Sequence, residues 1–153
     1  MKLRPELQPP RVPEERLAWL CAEIDRIEGL IGQGDGDEAA EAAVAAFNSD
    51  TGHAYTVHDF FEYWGACNVE DFALAAARPA RPRVPDITRD ELAELVRRVM
   101  DCAPDWEYYL RLLQVNVVNP HLADLLFHPP AELRDATPEE LVDAVLAYRP
   151  IEL

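Results

Sequence analysis

Apolar residues recur at spacings of three and four along most of this chain, and no stretch alternates apolar with polar as a half-buried strand requires. The clearest run is Leu17, Leu20, Cys21, Ile24, Ile27 and Ile31. It predicts an amphipathic helix over 14–31, opened by Pro13 and by Glu14 and Glu15 in the first turn. Gly29, Gly32, Gly34 and Gly36 end it, and an alanine-rich helix is expected over 38–47. Asn48 to Tyr55 reads as a loop. Thr56-Val57-His58-Asp59 is a capping-box variant, and it opens a helix with Val57, Phe60, Phe61 and Trp64 on one apolar face and Gly65 as its stop. Asn68 caps a helix over 69–77.

The second half follows the same grammar. Thr88-x-x-Glu91 opens a helix over 89–101, and Pro104 opens one over 104–116. The β-branched run at 114–118 allows a short extended piece. Asn119-Pro120 opens a short helix over 120–127, and Thr137-Pro138-Glu139-Glu140 opens the last, over 138–148. Seven or eight helices with short connections predict an all-α, single compact domain with antiparallel packing.

Proline marks the two exceptions. Pro5, Pro9, Pro10 and Pro13 make residues 1–13 an extended arm, because proline removes donors and disfavours helix before it. In 78–85, RPARPRVP, prolines recur every third residue, as in a polyproline strap, with Arg78, Arg81 and Arg83 between them. The preferred reading is one helical domain over 14–153 with the strap crossing its surface. The alternative is two helical halves, 14–77 and 86–153, joined by 78–85; each would be marginal alone.

Charge narrows the function. The formal net charge is −15, and between Ile27 and Ala77 there are ten acids and no Lys or Arg. Such a surface repels nucleic acid and anionic lipid and attracts a basic protein, a cationic ligand or a divalent metal. Thirteen arginines against one lysine, Lys2, fit a GC-rich bacterial genome. Cys21, Cys67 and Cys102 lack metal-ligand or disulfide spacing and read as buried small hydrophobes in a reducing compartment. No apolar run is long enough to span a membrane and no secretory leader is visible, so a cytoplasmic protein is expected.

The stretch from Asn48 to Gly65 concentrates histidines, aromatics and acids. His53 and His58, with Asp50 and Asp59, form one candidate set for Zn²⁺ or Mn²⁺, with His121 or His128 as a distant fourth ligand. Against it, the two histidines are five apart and not the four that puts both rings on one helix face. A calcium loop from Asp35 fails, because its twelfth residue is Ala46 and not Glu. No nucleophile elbow, phosphate loop or dinucleotide fingerprint occurs, and Cys67 lies among acids that disfavour a thiolate, so a non-enzyme is the main expectation, with a divalent-metal-binding protein or metal-dependent enzyme built on the His53 and His58 region as the alternative.

Aromatics among acids are what an interface for a basic protein requires: buried anchors for affinity and charge for steering. The main reading is therefore an acidic, all-α, protein-binding module without cofactors. It is immunity- or antitoxin-like and occupies a basic partner such as a nuclease toxin. The surface expected to carry it holds Asp59, Glu62, Tyr63, Glu70, Asp71 and Tyr55. A homodimer joined at the Phe60, Phe61 and Trp64 region is a further alternative.

Overall fold

The computed structural model describes residues 2–31, 37–62 and 68–148. All of its regular structure is helical, and no strand occurs among the described residues. The chain divides into two compact units, one formed by Pro10–Ala80 and the other by Met1–Pro9 with Arg81–Leu153.

The Pro10–Ala80 unit contains α1 (Glu14–Ile31), α2 (Asp37–Thr51), α3 (Val57–Glu62) and α4 (Val69–Ala77). Its core takes Leu20, Ile24 and Ile27 from α1, and Ala43, Val44 and Phe47 from α2. Phe60 comes from α3, and Phe72, Ala73 and Ala76 from α4. Each fully buried leucine, isoleucine or phenylalanine side chain contributes about 1.5–3 kcal/mol relative to leaving it in water. The small Ala73 and Ala76 let α1 and α4 approach closely along one seam. Asn68 caps α4 as expected, accepting a hydrogen bond from the Asp71 amide at 2.9 Å.

Helix α2 runs one turn past its expected end. Thr51 Oγ1 donates to the Phe47 carbonyl at 2.9 Å, and Gly52, at φ +77°, supplies the left-handed residue that stops it. Asp50 therefore sits on a helix and not in the loop assigned to it from sequence. The predicted stop at Gly65, the packing of Trp64 and the surroundings of Cys67 lie outside the described residues, as do Gly32, Gly34 and Gly36.

The second unit contains α5 (Arg89–Met100), α6 (Trp106–Asn116), α7 (Leu122–Phe127) and α8 (Pro138–Leu146). Its core includes Leu92, Leu95, Val96 and Val99 of α5, Leu112 and Leu113 of α6, Leu122 and Leu126 of α7, and Leu141, Val142 and Val145 of α8. Leu3 and Leu7 join this core from a short 3-10 turn at Pro5–Leu7, so the proline-rich arm is tied down by two buried leucines. The strap is fastened too. The Asn116 carboxamide accepts from the Val84 amide at 2.7 Å and donates to the Pro82 and Leu112 carbonyls at 2.9 and 2.8 Å. Arg81 and Arg83 remain exposed.

Two helix starts differ from expectation for a local reason. Pro104 does not open α6, because Asp105 lies in the left-handed region at φ +67° and a helix cannot run through it. Before α7, the Asn119 side chain accepts from the His121 amide at 2.8 Å and also donates to the Val145 carbonyl at 3.1 Å. That turn delays the helix until Leu122. Helix α6 carries the β-branched run through Asn116 and only then becomes extended, at Val117.

Glu94 is a charge buried on α5. Its carboxylate pairs with Arg97 and, at 3.8 Å, with Arg98, whose guanidinium also donates to the Tyr109 hydroxyl at 3.1 Å. Burial pushes the Glu94 carboxyl up. The hydrogen-bonded Arg97 works against that, and the group ends below its ordinary value.

Candidate partner-binding surfaces

In the Pro10–Ala80 unit, an aromatic cluster fixes the loop between α2 and α3. Phe47, Tyr55, Phe60 and Phe72 meet edge-to-face or tilted, with ring centroids 5.0–6.4 Å apart. Asn48 clamps the loop by donating to the Tyr55 carbonyl at 2.8 Å and accepting from the Tyr55 amide at 2.9 Å. Thr56 and Asp59 close the capping-box variant reciprocally, at 2.8 and 3.3 Å, so Asp59 caps its own helix.

The consequence for α3 is a sharp division between neighbours. Phe60 is 0 % exposed, whereas Phe61 is 67 % exposed. The sequence placed both on one apolar face. Over its described residues α3 meets the core along a line centred on Phe60, and the following residue, turned about 100° further round, falls outside it. Beside Phe61 stands the exposed pair His58 and Glu62, 3.1 Å apart.

The expected binding residues separate accordingly. Glu62, Glu70, Asp71 and Asp59 are exposed. Tyr55 is half-buried, and its ring packs in the aromatic cluster that holds the loop. Tyr63 lies outside the described residues.

The metal set is not assembled. His53 Nε2 bonds the Arg78 carbonyl at 2.7 Å, and its ring stacks on Tyr55 at 4.9 Å and 4°. Asp50 pairs with Arg16, His58 with Glu62, and Asp59 with the start of α3. His121 meets the Tyr148 ring edge-on in the other unit, and His128 ends α7. Among the described residues no group of three or more His, Cys, Asp or Glu is placed to hold a metal ion. The four donors are close in sequence, but the fold directs each to a different partner. Cys21 sits half-buried on α1 near Val69, and burial, with Glu70 and Asp25 nearby, pushes its thiol up, away from nucleophilic chemistry. Cys102, expected to be buried, is instead exposed, because it lies in the turn that follows α5, at φ +50°.

The second unit has a surface that the sequence reading passed over. Phe127, at the end of α7, is 43 % exposed, and the half-buried Trp106 meets its ring edge-on at 6.1 Å. Glu107 and Asp124 are exposed on the same two helices. The signal was present: Phe127 adjoins Leu126 and lies five residues after Leu122, off the line those buried residues define. No Lys or Arg occurs from Leu112 to Leu133.

No described helix is long and apolar enough to cross a membrane. No curated protein and no solved structure matches the chain. Residues 84–150 match the model of a protein family described as colicin immunity protein / pyocin immunity protein. The match spans α5 to α8 and covers less than half of the chain, leaving α1 to α4 outside it. Over its last four helices the chain is thus similar to the colicin and pyocin immunity proteins, and this likeness supports an immunity protein that neutralises a partner.

Proposed function

We propose that this chain is a bacterial immunity protein that works in the cytoplasm by binding and neutralising a basic protein toxin. The observation that carries the reading is the family match over residues 84–150. The net charge of −15 supports a basic partner, since opposite charge accelerates encounter and suppresses wrong complexes.

Within the matched unit, the contact surface we assign centres on Phe127 and Trp106, with Glu107 and Asp124 beside them. A partly exposed aromatic pair on two helices that also carry exposed acids has the makeup of an interface anchor: apolar area for affinity and charge for steering. Neutralisation needs no catalytic group on this side, only occupancy of the toxin tight enough to keep it inactive.

The test is growth protection. Cells producing the cognate toxin should survive when they also produce this chain and should die when it carries Phe127→Asp. A folded protein that gives no protection against any toxin it binds would reject the reading.

A further inference from the structure

We infer that the Pro10–Ala80 unit carries a second contact site for the same basic partner, with the Phe61 ring as its anchor. The inference rests on the immunity reading above but concerns helices that the family match does not reach. Phe61 is the most exposed aromatic among the described residues. Its backbone is held in place. Asp59 and Thr56 cap the helix, Phe60 locks it into the aromatic cluster, and the Asn48 clamp fixes the loop before it. An apolar ring presented in water on a backbone already fixed costs less entropy to bury against a partner than one on a mobile loop, which suits an interface anchor.

The charge of the unit selects the occupant. His58, Asp59 and Glu62 are the exposed neighbours of Phe61 on α3, and exposed Glu38 and Glu41 on α2 and Glu70 and Asp71 on α4 add to the acidity of the same unit. No Lys or Arg lies between Ile27 and Ala77, so none of these three helices supplies a permanent cation to neutralise it. The described arginines of α1, Arg16 and Arg26, are already paired with Asp50 and Glu23. A second copy of this chain would bring the same negative field and be repelled. A surface carrying Lys and Arg around an apolar depression fits.

The experiment uses the full chain with a photo-crosslinking phenylalanine analogue placed at position 61, at 127, or at 45 as an exposed control on α2. The expected result is one basic protein joined through both 61 and 127 but not through 45. Phe61→Ala and Glu62→Lys, both at exposed positions, should each weaken binding of that purified protein about tenfold, with the melting temperature unchanged. Capture through 127 alone, equal capture through 45, or a crosslink between two copies would overturn the second site. No capture through either 61 or 127 would instead reject the immunity reading beneath it.

Discussion

Arg4 donates to the Asp86 carboxylate from both terminal guanidinium nitrogens, Nη1 and Nη2, at 2.8 and 2.9 Å, across a separation of 82 residues. Its Nε also lies 2.9 Å from Glu91, the capping-box acid of α5. This fork positions Leu3 and Leu7 in the core that the family-matched helices build. The matched segment begins at residue 84, yet part of its core comes from the first nine residues.

Leu7→Ala should therefore destabilise the unit containing α5 to α8 by about 2–5 kcal/mol, the usual cost of truncating a buried leucine. Hydrogen exchange in α5 and α8 should accelerate while α1 to α4 keep their protection. Arg4→Ala acts through an exposed pair and should have a smaller effect, fading further at high salt.

Phe60 and Phe61 should respond in opposite ways. Phe60→Ala leaves a hole in the aromatic cluster and should cost about 3–5 kcal/mol in urea unfolding. Phe61→Ala should stay within about 0.5 kcal/mol of the parent, as exposed substitutions do. Equal losses at the two positions would mean that Phe61 is packed.

Acid should weaken the fold through carboxylates held below their ordinary values. Arg4 holds Asp86, Arg89 holds Asp143, and Glu94 is held against burial by Arg97. A carboxyl lowered in the folded state stabilises above its unfolded pKa, and that contribution disappears as pH falls through the folded value. Unfolding free energy should be flat near neutrality and fall in the acidic range. Glu94→Gln should make that fall shallower.

Metal should make no difference. Chelator treatment and added Zn²⁺ or Mn²⁺ should leave the thermal midpoint unchanged, because the donors first grouped as a site are engaged with other partners. A stoichiometric metal whose removal lowers the midpoint would contradict that.

How much of this was readable in sequence follows from what each residue depends on. The start of α1 and both ends of α4 match their predicted positions because their signals are local: an apolar repeat, a capping Asn68, a first turn rich in acids. The start of α6 was misread because the left-handed turn at Asp105 overrides the usual meaning of Pro104. Leu3 and Leu7 stand at helical spacing, but the prolines around them pointed to an arm, and their burial depends on helices more than eighty residues away. The acidic surface was legible because charge counts need no fold. His53 was not: its ring nitrogen meets a backbone carbonyl 25 residues on, which no spacing rule specifies. Phe127 could have been found from its position off the Leu122–Leu126 line.

The most direct measurement is the affinity and inhibition of the purified toxin captured by the full chain, followed across salt concentration. The account predicts a stoichiometric complex in which the toxin is inactive, with association that slows steeply as salt rises and is impaired by Phe127→Asp. A toxin that stays fully active in the complex, or binding indifferent to salt and to Phe127, would contradict it.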